Sequence, residues 1–309
     1  MTSVRTSSLE RRPVIEFTGV RKNLGGRQIL DSLSFDVRQG ETFVIIGYSG
    51  TGKSVTLRHL VGLMRPDEGS IRVDGEEITT MTPHELEIMR RKFGVLFQSG
   101  ALIAWLTILE NVELPLIEHS RMSKKRRAEV VQEKLEVVNL WDDRNKYPAE
   151  ISGGMRKRAG LARAIALDPR LVLYDEPTSG LDPVIANEIG KLINALRDKL
   201  KMTQVVVTHD MESAYDIANR IGMFYQGKMI QIGTPDEIRA SEIPEVQHFI
   251  SGGKRGAVSK RSVTAILTGR APGMQSARTP ETQDVAAAGQ DPPNQTQPAA
   301  PATQEGTAR

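Results

Sequence analysis

The sequence predicts an α/β fold in which helices cover both faces of a parallel sheet. Short apolar runs rich in β-branched residues, at 42–46, 171–174 and 205–207, are typical of buried parallel strands. These runs alternate along the chain with segments of helical period. A glycine-rich loop at 47–54 also joins the first run to a helical segment, which is the strand–loop–helix unit of such sheets.

Local patterns predict the elements in chain order. Residues 14–17 and 29–37 predict two strands ahead of the loop, and a helix is predicted from 53 to about 64. Residues 69–74 predict a further strand, which the turn-forming pair Asp74-Gly75 ends.

The region of about 88–165 is expected to be a mainly helical subdomain. Ahead of it, Thr82, Pro83 and Glu85 have the types and spacing of a capped helix start. Helical patterns are clearest at 108–119, 124–138 and, further on, 184–200.

The composition indicates one globular domain, predicted at 13–250, between two segments expected to be disordered, 1–12 and 251–309. The second segment has no aromatic residue and is rich in Ala, Pro, Gln and Thr, so it cannot bury enough apolar surface to offset its ordering entropy. The absence of cysteine excludes disulfides and thiolate metal ligands and is typical of cytoplasmic proteins. Seven basic and four acidic residues after residue 250 account for the whole net charge of +3, so the folded part lacks the basic bias of nucleic-acid-binding proteins.

Residues 47–54 read GYSGTGKS and match the phosphate-loop pattern G-x-x-x-x-G-K-[ST] at every fixed position. Glycines there allow the backbone to aim N–H groups at phosphate oxygens, and the following helix N-terminus favours the anion. Lys53 is expected to reach the β- and γ-phosphates, and the Ser54 hydroxyl to ligate Mg²⁺. The alternative is a glycine-rich turn without a ligand. The predicted nucleotide-binding residues here are Gly47, Tyr48, Ser49, Gly50, Thr51, Gly52, Lys53 and Ser54.

Two carboxylates, Asp175 and Glu176, end the apolar run at 171–174. Ligands gather at the carboxyl ends of parallel strands, so Asp175 is expected to hold Mg²⁺ and Glu176 to act as general base on the attacking water. The alternative is a pair of solvated acids at a strand end.

A second serine- and glycine-rich loop, Ser152-Gly153-Gly154, lies at another predicted helix start and offers a second anion site. One compact domain has no evident need for two triphosphate sites. A two-fold dimer uses both, because each subunit's serine–glycine loop then caps the γ-phosphate that the other subunit holds. Taken alone, these three residues would be an ordinary turn.

The order of these motifs resembles the ATP-binding cassette (ABC) family over about residues 13–250. The shared features are GYSGTGKS, Gln98, ISGGM at 151–155, LVLYDEP at 171–177, SGLD at 179–182 and THD at 208–210. The resemblance implies a P-loop NTPase with a RecA-like parallel-sheet core, an N-terminal antiparallel β region and a helical subdomain. It further implies that Gln98 senses Mg²⁺ and the attacking water, that Asp182 lies at the dimer interface, and that His209 contacts the γ-phosphate. Each has an ordinary alternative: Gln98 would be a surface amide, Asp182 a helix N-cap and His209 a structural histidine.

Finer features resemble the ATPases of Mce/Mla-type lipid transport systems. These are LFQSGAL at 96–102, Met155 in the signature loop, LARAIALDP at 161–169, VVTHDMESA at 206–214 and VQHFI at 246–250. The resemblance implies an ATP- and Mg²⁺-dependent homodimer on the cytoplasmic face of the membrane. Its partners would be a permease and a lipid-binding Mce-type component, with no role for nucleic acid.

Two positions depart from the common cassette pattern. Leu24 occupies the expected place of an aromatic residue that stacks on adenine, and Met155 replaces a glutamine. Elsewhere, Trp105 and Trp141 are interpreted as packing residues. Three rival functions stay open: an importer ATPase for small polar solutes, a soluble non-transport cassette protein, and a P-loop kinase. The kinase would need neither the Ser152 loop nor the switch at His209.

Overall fold

The structure is a computed structural model that describes residues 12–252. The segments expected to be disordered therefore lie outside the described residues, apart from residues 12, 251 and 252. The strands are β1 (Pro13–Leu24), β2 (Arg27–Arg38), β3 (Thr42–Ile46), β4 (Glu68–Val73), β5 (Glu76–Glu77), β6 (Phe93–Leu96), β7 (Leu171–Asp175), β8 (Thr203–Thr208), β9 (Arg220–Tyr225) and β10 (Lys228–Gly233).

The strands form two sheets. The smaller one has the order β2-β1-β4-β5 with antiparallel pairing throughout, which confirms the expected N-terminal antiparallel region. The larger has the order β10-β9-β3-β8-β7-β6, and its strands run parallel except for β10. Since β3, β8 and β7 are neighbours, the loops that follow them lie at the same edge of the sheet.

Helices cover both faces of the larger sheet, as predicted. They are α1 (Lys53–Leu60), α2 (Pro83–Arg90), α3 (Ile108–His119), α4 (Lys124–Val137), α5 (Gly153–Ala164), α6 (Pro183–Leu200), α7 (Met211–Ile217), α8 (Pro235–Arg239) and α9 (Pro244–Ile250), with a 3₁₀-helix at Pro148–Glu150. One apolar cluster joins the sheet to α1, α2 and the smaller sheet, and a second joins its other face to α6 and α7. A third cluster packs α3, α4 and α5 together.

The structure differs from the sequence-based expectations at several elements: β1 extends to Leu24 rather than ending near residue 17, and β9 and β10 were not predicted. Helix α1 ends at Leu60 rather than near 64, because Gly62 adopts a left-handed conformation (φ +65°) and its N–H turns back to the carbonyl of His59. Strand β6 lies inside the stretch expected to be mainly helical and pairs with β7, so it belongs to the larger sheet.

The two tryptophans differ in environment. Trp141 is half-buried against the third cluster, with the guanidinium of Arg144 4.3 Å from its ring centroid, as expected for a packing residue. Trp105 is 79% exposed, so the interpretation as a packing residue is wrong there. The cause is local, because Trp105 lies in an irregular segment between β6 and α3 rather than on an element that faces the core.

Candidate active site

Glycines let the phosphate loop lie close against β9. A Cβ on Gly47 would stand 2.4 Å from the carbonyl oxygen of Phe224, and Gly52 has φ +118° with a Cβ position 2.8 Å from Ile29. Larger residues at either position would push the loop away from its neighbours. The loop leads directly into α1, whose N-terminus faces it.

Lys53 is buried and spans the loop. Its Nζ donates hydrogen bonds to the carbonyl oxygens of Gly47 (2.7 Å) and Tyr48 (2.8 Å). Burial lowers the pKa of this lysine, while the carboxylates of Glu176 and Asp175 partly oppose that shift. These carboxylates and the loop carbonyls therefore favour a charged ammonium group beside the phosphate-binding loop.

Ser54 and Asp175 meet across the site. The Ser54 hydroxyl donates to the Asp175 carboxylate at 3.0 Å, and burial is the main cause that raises the pKa of this carboxyl above its usual range. A hard divalent cation fits this pair, because both side chains present oxygen ligands and the carboxylate is partly buried. No group of three or more His, Asp or Glu side chains suited to a metal occurs among residues 12–252, so phosphate oxygens and water would complete the coordination of Mg²⁺.

Glu176 and His209 form the second contact of the site. The His209 Nδ1 lies 2.9 and 3.0 Å from the two carboxylate oxygens of Glu176, and the Thr208 hydroxyl donates to one of them at 3.3 Å. His209 is half-exposed, whereas the Glu176 side chain is only 12% exposed. Because the neighbouring His209 is accessible to solvent, the Glu176 carboxylate can exchange a proton with a water molecule at the surface of the site.

The remaining predicted residues lie around this centre. The exposed Gln98 follows β6, and its Nε2 lies 3.4 Å from the Ser179 hydroxyl. The Asp182 carboxylate accepts from Val184 N and Ile185 N and caps α6, which confirms the helix-cap interpretation without excluding a second role.

The Ser152 loop does not meet the phosphate loop within the described chain. The Ser152 hydroxyl caps α5 by accepting from Met155 N at 3.2 Å, and its side-chain hydrogen bonds in the described residues stay within that helix. A Cβ on Gly154 would stand 2.6 Å from Ile185, so this glycine is needed for close packing of α5 on α6. A Cβ on Gly153 would meet no such clash, so the first turn of α5 is not crowded at this residue.

Two contacts of the site have no counterpart in the sequence analysis. The Tyr48 hydroxyl lies 2.6 Å from His248 Nδ1, and Phe249 packs edge-on against the Tyr48 ring. Lys157 of α5 donates to the main-chain carbonyl of Glu176 at 2.7 Å. Sequence reasoning gave no signal for the first contact, whose partners are far apart in the chain. For Lys157, the only signal is its place in the helix that follows the glycine pair.

A phosphate loop before α1, with two carboxylates at the end of a neighbouring parallel strand, defines a P-loop nucleotide-hydrolysing protein. The family profile described as ABC transporter matches residues 30–179. The probable ribonucleotide transport ATP-binding protein mkl of Mycobacterium leprae is 41% identical over 79% of this chain and 70% of its own length. The intermembrane phospholipid transport ATP-binding protein MlaF of Haemophilus influenzae is 38% identical over 79% of this chain and 93% of its own length.

A solved structure indicates the same family as these relatives. A dimeric ATP-binding cassette in a post-hydrolysis state with ADP and phosphate matches with a TM-score of 0.67 and 34% identity, over 72% of this chain and 98% of the other. The chain belongs to the ABC transporter family as an ATP-binding, ATP-hydrolysing subunit. None of the helices in the described part of the chain is long and apolar enough to span a membrane.

Proposed function

We propose that this ATPase drives the transport of phospholipids or other hydrophobic molecules together with an Mce/Mla-type permease. The similarity to phospholipid transport ATP-binding proteins carries the proposal, because it extends over 93% of such a relative's length. The features that resemble Mce/Mla-type ATPases, Met155 among them, support it. A lipid-binding Mce-type component completes the assembly, and the ATPase works at the cytoplasmic face of the membrane.

At the level of the ATPase, two copies of the chain bind two ATP molecules at their interface. Ser152, Gly153 and Gly154 of one copy cap the γ-phosphate held by the phosphate loop of the other, and Asp182 lies along the same interface. The likeness to a dimeric cassette with ADP and phosphate supports this arrangement. So does the exposed position of Ser152, which leaves the N-terminus of α5 open to a ligand from outside.

The proposed chemistry gives each group of the site a role, and the contacts of the site support it. Lys53 and the N–H groups of the loop stabilise charge on the β- and γ-phosphates. Ser54, Asp175 and Gln98 would hold Mg²⁺, and a bound Mg²⁺ would supply positive charge to the phosphates. Glu176 accepts the proton of the attacking water, and His209 holds the Glu176 carboxylate until the γ-phosphate replaces that contact.

The test of this chemistry is Glu176→Gln in the full-length chain. The variant keeps the size of the side chain but loses the base, so it is expected to bind ATP normally and to lose most turnover. Binding is measured with a fluorescent ATP analogue and turnover by phosphate release. Near-normal ATPase activity in this variant would remove Glu176 as the base.

Transport of a polar solute is a second candidate, because the relatives that are 41% identical are named for ribonucleotide transport. The two candidates differ in cargo and partners. The gene is co-expressed with whatever permease and binding-protein genes adjoin it, the complex is purified, and mass spectrometry of the bound molecules separates the two candidates. Bound phospholipid and an Mce-type partner support the first proposal, whereas a soluble solute-binding partner without bound lipid supports the second.

A further inference from the structure

Lys157 is a buried cation in the helix that begins at the Ser152 loop. Only 5% of the residue is exposed, and its Nζ donates a 2.7 Å hydrogen bond to the main-chain carbonyl oxygen of Glu176. Among the described residues, that carbonyl is the only hydrogen-bond partner of the ammonium group. A lysine buried with so few partners is unusual, because charged groups lose hydration when they leave water.

The residue that Lys157 contacts has an unusual backbone. Glu176 has φ +51°, a left-handed conformation that non-glycine residues rarely adopt. Both of its main-chain groups are hydrogen-bonded: its N–H donates to Val207 O of β8 at 2.8 Å, and its carbonyl accepts from Lys157 Nζ at 2.7 Å and from Ser179 N–H at 3.3 Å. Conformations of this kind persist only where the surrounding contacts hold them.

The conformation of this residue sets the direction of its side chain. From the end of β7, the carboxylate of Glu176 reaches Thr208 and His209 on the neighbouring strand end. Without Lys157, the carbonyl of Glu176 would keep only the longer 3.3 Å bond from Ser179 N–H, and the peptide could rotate toward a more common conformation. The carboxylate would then leave the position from which it meets the attacking water.

We propose that Lys157 is a positioning residue for ATP hydrolysis, which fixes the main chain of Glu176 so that its carboxylate faces the nucleotide. This inference rests on the proposed role of Glu176 as the base. An apolar side chain would fill the same space without loss of hydration, so what the lysine adds at this position is its donor. Burial lowers the pKa of Lys157 to about 8, while the nearby carboxylates of Glu176 and Asp175 favour its charged form.

The test is Lys157→Met in the full-length chain, assayed for ATP hydrolysis at saturating Mg²⁺. Methionine has a similar length and no donor. A misplacement of about 1 Å at a reacting group costs about 100-fold in rate, so kcat is expected to fall about 10- to 100-fold, with the KM for ATP within about twofold of the original. Lys157→Arg keeps a cationic donor and is expected to restore part of kcat.

Lys134→Met is the matched control. Lys134 is also buried (2% exposed), but it lies in α4 and pairs with Asp168 at 2.6 Å, away from the phosphate loop. Lys157→Met is expected to lower kcat, whereas Lys134→Met, which removes the cation beside Asp168, is expected to leave kcat unchanged. If Lys157→Met fails to fold, Lys157→Gln replaces it. Its amide is too short to reach the carbonyl, so the same fall in kcat is expected.

The inference is overturned if the variant at Lys157 keeps its kcat, or if kcat and KM change as they do for Lys134→Met. Glu176→Gln is measured in parallel to separate this result from a failure of the proposed function. If Glu176→Gln keeps near-normal turnover, the assignment of the base is wrong. If it loses turnover while the variant at Lys157 does not, only the role of Lys157 is wrong.

Discussion

The close approach of the phosphate loop to β9 makes Gly47→Ala a sharp perturbation. The added methyl group would stand 2.4 Å from the carbonyl oxygen of Phe224, and its two nearest neighbours are main-chain atoms that cannot rotate away. Contact between carbon and oxygen at ordinary van der Waals distance needs about 1 Å more. The loop must therefore shift by about that amount or leave its conformation, because β9 is a strand inside the sheet.

A shift of this size acts mainly on function. The N–H groups of the loop must lie within hydrogen-bond distance of phosphate oxygens, and a misplacement of about 1 Å costs roughly 100-fold in rate. We therefore expect kcat/KM for ATP to fall about 100-fold. Overpacking and the strained φ of +155° add about 2–4 kcal/mol of lost stability.

The assay compares kcat/KM and urea unfolding of Gly47→Ala with those of Gly75→Ala. Gly75 also has a left-handed conformation (φ +82°), but it lies in the turn between β4 and β5, and its nearest neighbour is the flexible side chain of Arg12. The control is expected to lose about 1 kcal/mol of stability and to keep kcat/KM within about twofold. A wild-type kcat/KM in Gly47→Ala would refute the steric argument.

Four further predictions follow from single contacts. Ser54→Ala is expected to raise the Mg²⁺ concentration for half-maximal ATPase activity at least about tenfold, since a hydroxyl ligand is lost; an unchanged Mg²⁺ titration contradicts this. Leu24→Tyr is expected to tighten the Kd for ATP about fivefold, because aromatic stacking on a base contributes about 1 kcal/mol or more; no gain in fluorescence titration contradicts it. Tyr48→Phe removes the bond to His248 and is expected to cost about 1 kcal/mol in urea unfolding. Between pH 8 and 9.5, the unfolding free energy of the wild type is expected to rise relative to Lys157→Met by about 1 kcal/mol per pH unit, because the lowered pKa releases the proton of Lys157 in the folded state first. If the unfolding free energies of the two proteins changed equally with pH, the lowered pKa of Lys157 would be ruled out.

Local patterns predicted most of the elements but not their long-range contacts. The strand at 42–46 and the helix at 108–119 were predicted with the bounds that the structure has, because continuous apolar runs and caps are local signals. The end of α1 was predicted four residues late, since the reversal at Gly62 depends on one backbone conformation. Strand β6 was missed because it is short and only the sheet around it fixes its state.

The same distinction holds at the candidate site. The motifs predicted the residues that the fold brings into contact, such as Ser54 with Asp175 and Glu176 with His209. Their catalytic roles stay predictions. The contacts of Lys157 and His248 could not be found from the sequence, because each joins residues that only the folded chain brings together and neither carries a spacing pattern.

The central claim is that two copies of this chain close on ATP, and the mass of Glu176→Gln in solution tests it most directly. The variant is measured by light scattering with and without ATP and Mg²⁺. Without nucleotide we expect the monomer mass of 34.1 kDa, and with ATP twice that value. Ser152→Arg in the same background is expected to prevent the change, because it blocks the loop that is proposed to cap the partner's ATP. A protein that binds ATP fully and stays monomeric at micromolar concentration would contradict the account.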